Sequence, residues 1–537
     1  MSDEEIDPAA PPRWWDGAVI YQVYPRSFAD ANGDGIGDLA GIESRLDHLR
    51  GTDGSLDVDA LWLSPIYPSP LADFGYDVSD YTDVADEYGT LEDLDRLIAA
   101  CHDRGLKLLM DLVPCHTSNR HPWFLESRSS RTSAKRDWYI WADPAPDGGP
   151  PSNWAAVFGG SAWEWDEPSG QFYLHTFYPE QPNLNWRNPQ VAEAMADAMR
   201  FWFHRGVDGF RVDAIQAAVV DEMLRDNPPF SRPSTVPGLH GGDGQDWLWN
   251  VDRPEVHDVV RGMRSVTEEF PGRVLLGEVY APVERLAGYL AHGADTEFHL
   301  AFNFELILSP WKHEDLVLAI ERSEAHHPPG VWPTYAISNH DRRRHASRWG
   351  SDRTRLAALM LLTLRGVAVL YAGEEIGMVD APEELLPDPP YDRAGRDGSR
   401  TPMQWDASSH GGFTSGTPWL PLVDPQTRNV ADQRGDPQSL LSLYRRLIAA
   451  RRASPALERG DHRSFFDVAT DVLCWLRTAG KEQILVLANI GDVERRCDLR
   501  RVAAKRGTLV VATSDRTGSV SLDGLVLEPR EGVALRL

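Results

Sequence analysis

The sequence predicts an α/β fold: a (β/α)8 TIM barrel with an inserted subdomain after the third strand and a C-terminal antiparallel β domain. Three observations predict it. Eight short apolar runs recur up to about Gly460, amphipathic stretches separate many of them, and beyond that point the pattern changes to short alternating runs. A chain of 537 residues also exceeds a single hydrophobic core, so more than one domain is expected.

Residues 1–12 are acidic and proline-rich and read as a disordered tail. The barrel is assigned to residues 13–114 and 188–460. Its strands are AVIYQVY from Ala18, VDALWLSP from Val58, LKLLMDLV from Leu106, GFRVDA from Gly209, VLLGEVY from Val274, HLAFNFEL from His299, TYAISNHD from Thr334 and GVAVLYAGEE from Gly366. Most are continuously apolar, as strands covered on both faces of a parallel sheet must be. Between them lie helical patterns such as TLEDLDRLIAACHDRG, which opens on a Thr90-x-x-Asp93 capping signal and closes on Gly105. Eight such units specify a TIM barrel. Residues 115–187 fill with Trp, Pro, Gly and Ser and show no long helix. That is too much chain for one loop, and it is assigned as an inserted subdomain B. Residues 461–537 carry DVLCWLR, QILVLAN, GTLVVAT and GVALRL separated by turns, the signature of a C-terminal antiparallel β domain.

Composition narrows the function. A formal charge of -27 repels phosphate backbones and anionic lipid, which argues against nucleic-acid and membrane partners and suits a neutral small molecule. Four cysteines in no CxxC pattern, no basic-then-apolar leader and no apolar run of about 18 residues point to a protein of the cytoplasm. Nothing in the sequence specifies an oligomeric state.

Catalytic side chains of a TIM barrel stand where strands end at the C-terminal face. Those positions hold Asp111 with His116 (third strand), Arg211 and Asp213 (fourth), Glu278 (fifth), and His340 with Asp341 (seventh). Single acids at such positions often only cap the next helix; three together, Asp213, Glu278 and Asp341, are the equipment of glycoside hydrolysis. A retaining enzyme needs one ionised carboxylate to attack the anomeric carbon and one protonated carboxyl to release the leaving oxygen. Arg211, two residues before Asp213 on the same strand face, is expected to keep Asp213 ionised. Glu278 follows an apolar run with no cation beside it in sequence, and burial is expected to keep it protonated as general acid/base.

These segments resemble the signature regions of glycoside hydrolase family 13, the α-amylase superfamily, and within it the oligo-1,6-glucosidase and α-glucosidase branch. DLVPCHTSN from Asp111, GFRVDA, GEVY and SNHD are similar to its first four regions and QPNLNW from Gln181 to its fifth. ADFGYDVSDY, FGGSAWEWDE and GRDGSRTPMQWD are similar to further segments of the branch. The resemblance implies Asp213 as nucleophile, Glu278 as acid/base and Asp341 as the carboxylate that orients the ring. It further implies Tyr76, His116, Phe158, Gln181, Arg211 and His340 around the sugar, and Asp77 with Arg396 closing the pocket at the non-reducing end. Two departures stand out: Cys115 replaces a usual Asn, and Val367 with Ala368 replaces a common Thr-Pro. Ala214, after the nucleophile, occupies the position where Val accompanies α-1,6 and Ala or Thr accompanies α-1,4 preference.

DANGDGIGD from Asp30 sets oxygen side chains at Asp30, Asn32, Asp34 and Asp38 among glycines, with the Ile36 carbonyl as a further donor. Oxygens at this spacing suit Ca2+ or Mg2+, although Gly41 stands where an EF-hand needs Glu. The segment also resembles the short metal loop of the same branch, which implies a structural ion without a catalytic role. No organic cofactor is implied. The reading is a retaining exo-acting α-glucosidase of short α-glucosides with transglucosylation as a second outcome. The rival within the superfamily is a sucrose or trehalose isomerase or a transglucosylase. Isomerases of the branch carry an Arg-Leu-Asp-Arg-Asp string that is absent between Asp341 and Arg396. A non-catalytic transporter subunit, the rival from another class, disagrees with three intact carboxylates and no membrane anchor.

Overall fold

The computed structural model describes residues 13–229, 240, 241, 244–290, 297–327, 330–502 and 504–537. The tail assigned to 1–12 lies outside these. The eight predicted strands form as β1 (Val19–Val23), β2 (Ala60–Leu63), β3 (Lys107–Leu112), β4 (Gly209–Val212), β5 (Val274–Gly277), β6 (Leu300–Asn303), β7 (Thr334–Ala336) and β8 (Val367–Tyr371). They close a barrel in chain order, β8 returning to β1. Paired strands run parallel, with Met110 and Leu275 both opposite Phe210 and Ala368 opposite Val19. Every residue of β1, β2, β4, β5, β6, β7 and β8 is buried, which explains the unbroken apolar runs.

The chain forms two compact units. The first comprises Trp62–Ile98 and Leu108–Phe302; the second comprises Ala9–Leu61, Ala99–Lys107 and Asn303–Leu537. In the first, Thr90 and Asp93 make the expected reciprocal cap: the Thr90 amide donates to Asp93 Oδ2 at 2.8 Å, and the Asp93 amide to Thr90 Oγ1 at 3.2 Å. The helix Pro189–Arg205, which leads into β4, starts on an Asn188 cap with proline next and stops at Gly206, whose φ of 105° only glycine adopts freely. Between β3 and that helix, Trp141–Ala142, Trp163–Asp166 and Gln171–Leu174 form a three-stranded antiparallel sheet. Trp154, Trp163, Phe172 and Leu174 make its core.

In the second unit, six strands pair in the order Asp461–Ser464, Val472–Ala479, Glu482–Asn489, Gly532–Arg536, Arg506–Ala512 and Ser519–Ser521. The four inner strands are the four sequence runs, and their inward residues Val472, Cys474, Leu485, Leu487, Val533 and Leu535 share one core. All four cysteines are buried thiols.

Candidate active site

β4 delivers the key cation. Arg211 lies opposite Asp111 on β3 and Leu276 on β5, so an inward side chain reaches the ends of both neighbours. It is 1% exposed. Its Nη1 donates to Asp111 Oδ1 at 2.8 Å and to Asp213 Oδ1 at 2.7 Å, and its Nη2 pairs with Glu278 Oε1 at 2.6 Å. Glu278 therefore has a cation beside it after all, which corrects the expectation of a carboxyl without one. Strand pairing, invisible in the local sequence, brings it there. Burial alone would lower the affinity of Arg211 for its proton, but Asp111, Glu278, Tyr76 and Asp213 hold it well above the usual guanidinium range. Burial pushes Asp111 up to about 6, with Arg211 and Tyr76 pulling the other way.

Local backbone aims the two acids. Asp213 and Glu278 each donate their amide across the strand ends, to Leu112 O and Val212 O, both at 2.8 Å. Gly277, before Glu278, abuts the Phe298 ring, and an added Cβ would sit 2.5 Å from it. Ala214 turns the chain off the barrel in the left-handed conformation, φ 40°, and its amide donates to Glu278 Oε2 at 3.1 Å. The residue predicted to sense linkage thus also touches Glu278.

The other first-unit residues form a linked shell. Tyr76 Oη donates to Asp111 Oδ2 at 2.9 Å. His116 has Nε2 2.9 Å from Tyr76 O and 3.0 Å from Gln181 Nε2, while its buried Nδ1 has no partner among the described residues. Burial lowers the His116 ring to about 4, so it is neutral at pH 7. Gln181 is fixed at both ends, donating to Asp73 at 3.0 Å and accepting from the Tyr178 amide at 3.0 Å. Phe158 stacks on Tyr178 with centroids 4.2 Å apart. Asp77 is fully buried, and its carboxylate accepts from Ser69 and from the Ala72 and Asp73 amides; burial raises its pKa. Cys115 packs against Ala217 and Val251, and its thiol accepts a weak 3.6 Å hydrogen bond from Asn183 Nδ2.

The second unit carries the remaining group. Asp341 Oδ1 accepts from Arg396 Nη1 at 2.9 Å and Arg400 Nη2 at 3.3 Å. His340 Nε2 lies 3.3 Å from Asp341 Oδ2, its Nδ1 meets Gln22 Nε2 at 2.8 Å, and its ring stacks on Tyr24. Beside Asp341, Arg342, Arg343, Leu386, Pro387 and Arg396 line a cavity of about 1160 Å³. Arg400, Gln22 and Tyr24 were not singled out from sequence. The signal was available, since Gln22 and Tyr24 stand at the end of β1 and Arg400 lies inside GRDGSRTP.

The Asp30–Asp38 loop, expected from the sequence to hold a metal, also lies in the second unit. Asp30 accepts from the Gly33 and Gly35 amides at 2.7 and 2.8 Å, and Asp38 caps the helix Leu39–Ser44 through Gly41 N at 2.6 Å. Asn32 and Asp34 accept from the Asp34 and Ile36 amides, both at 2.8 Å. Among the described residues no three His, Cys, Asp or Glu are grouped as a metal cluster. The all-oxygen donor set nevertheless fits a hard cation.

The family model of the alpha amylase catalytic domain matches residues 22–460. The chain belongs to the alpha amylase family. Within it, a "Probable alpha-glucosidase" of Rhizobium meliloti is 46% identical, covering 89% of this chain and 90% of its own length. An "Oligo-1,6-glucosidase" of Parageobacillus thermoglucosidasius is 36% identical over 89% of this chain and 91% of its own. Among solved structures, that of the alpha-glucosyl transfer enzyme XgtA superposes with a TM-score of 0.88 at 39% identity, covering 98% of this chain and all of the other. No helix among the described residues is long and apolar enough to cross a membrane.

Proposed function

We propose that this family member is a retaining, exo-acting α-glucosidase that removes terminal non-reducing α-linked glucose, α-1,4 bonds above all, from short α-glucosides. The observation that carries the mechanism is the single Arg211 guanidinium bonded to both Asp213 and Glu278. One guanidinium holding two carboxyls favours the short separation of retaining enzymes, about 5 to 5.5 Å, over the wider gap that admits a water. Asp213 attacks the anomeric carbon and forms a glucosyl ester while Glu278 gives its proton to the departing oxygen. Glu278 then takes a proton from water, whose oxygen displaces Asp213 and releases glucose. Asp341, with His340, orients the ring and stabilises its developing positive charge. Tyr76, His116, Phe158 and Gln181 contact the sugar, and Asp77 and Arg396 are proposed to bond its terminal hydroxyls, the basis of exo action.

A second reading, transfer of glucose to a sugar acceptor instead of water, is favoured by the likeness to XgtA. The two differ only in what attacks the ester. The Asp30–Asp38 loop takes a structural Ca2+ or Mg2+, supported by its oxygen donors and by Gly33 and Gly35 at positive φ. A cytoplasmic location is supported by the composition alone. The test is Asp213→Asn, which should abolish turnover in a folded protein, beside Glu278→Gln, which should glycosylate slowly and only from activated leaving groups. Maltose, isomaltose, sucrose, trehalose and starch are then assayed with every product identified; internal oligosaccharides released from starch would overturn exo action.

A further inference from the structure

Arg396 is held by more than the carboxylate it serves. Its Nε donates to Asp392 Oδ2 at 2.9 Å and its Nη2 to Asp392 Oδ1 at 2.8 Å, a side-on fork, and its own amide donates to Asp392 Oδ2 at 2.6 Å. Asp392 is 1% exposed. Its position is set in turn by Asp397, whose carboxylate accepts the Tyr391 and Asp392 amides. With one edge of the planar guanidinium fixed, Nη1 is the atom directed at Asp341 Oδ1.

We propose that Asp392 is a positioning residue for Asp341: it grips Arg396 side-on, so that the guanidinium meets Asp341 through Nη1, on Oδ1. This rests on the reading of Asp341 as the ring-orienting carboxylate. Without that grip Arg396 can turn toward Asp341 as a two-pronged pair and rotate its carboxylate away from the ring. Burial pushes the Asp392 carboxyl up, yet Arg396 and Arg400 hold it below its usual value, so it remains an anion in that role. The arrangement is compact in sequence, Asp392 and Arg396 being four residues apart with the 3-10 turn Asp397–Arg400 directly after them.

Asp392→Asn, Arg396→Lys and the double variant are assayed on p-nitrophenyl α-glucoside and maltose. Asp392→Asn should lose about 10- to 100-fold in kcat/KM, chiefly in kcat, as expected for a misaimed group rather than a lost binding contact, and Arg396→Lys, which also touches the sugar, should lose at least as much in kcat with a raised KM besides. The double should lose no more than the larger single, within about threefold, because both break one clamp. Asp392→Asn within about threefold of wild type, or losses that multiply in the double, would overturn the proposal. Should Asp392→Asn fail to fold, Arg396→Lys decides alone, since it keeps the charge and Asp392 but breaks the fork; wild-type kcat then overturns the proposal. The product anomer of the wild type is read in parallel. Inversion there sinks the α-glucosidase reading, whereas retention with an indifferent Asp392→Asn sinks only the positioning role.

Discussion

Replacing Arg211 by lysine tests how one cation organises the site. The guanidinium spans Asp111, Asp213 and Glu278 with two nitrogens at 2.6 to 2.8 Å. A lysine ammonium is a single point and cannot stand in for two nitrogens. It should keep the Asp111 and Asp213 side and lose Glu278, or the reverse. A hydrogen bond between charged groups contributes about 1.5 to 3 kcal/mol, so Arg211→Lys should destabilise the fold by about that amount. Arg211→Ala, which leaves three carboxylates without the cation, should cost about 3 to 5 kcal/mol or more. Misplacing one of the two reacting carboxyls should lower kcat/KM of the lysine variant by about 100-fold. The sign of the pH effect follows from Asp111. Its carboxyl rises from 3.8 to about 6 in the folded protein, so the folded state binds its proton more tightly. The contribution to stability is fully present below pH 3.8 and is lost as pH rises through 6, about 3 kcal/mol in all. Weakening the cation should extend that loss above pH 6. Urea melts from pH 4 to 8 with kcat/KM on maltose measure both. A lysine variant with wild-type melting and activity at every pH would refute the reasoning.

Ala214→Val should shift the kcat/KM ratio from maltose toward isomaltose by about 1 to 3 kcal/mol at most. Because φ is 40° there, a conformation β-branched residues avoid more strongly than alanine, it should also lower stability, and an unmoved ratio would refute the linkage role. Incubation with a chelator should lower the melting temperature and bound Ca2+ or Mg2+ should be detectable by elemental analysis; Asp30→Asn with Asp34→Asn should abolish the metal and the chelator response. A melting temperature indifferent to chelator, with no metal in the purified protein, would refute the ion.

The barrel was legible because strands buried on both faces leave unbroken apolar runs, as in VIYQV of β1 and VAVLY of β8. The strands Asp461–Ser464 and Ser519–Ser521 were not, because they lie at sheet edges and are largely exposed, so they carry no apolar pattern. At the site, the carboxylates were legible from their places at strand ends. The Arg211–Glu278 pair was not, since only the pairing of Arg211 with Leu276 brings it within reach. Asp392 is not legible in the sequence for a related reason: it lies four residues from Arg396 in a segment with no helical pattern, where that spacing does not by itself predict a contact.

The central claim is a double displacement at Asp213 assisted by Glu278, and the stereochemistry of the first product tests it most directly. Proton NMR of wild-type enzyme with maltose or p-nitrophenyl α-glucoside, recorded before mutarotation, should show the α-anomer of glucose appearing first and the β-anomer only later. Initial release of the β-anomer would contradict the account.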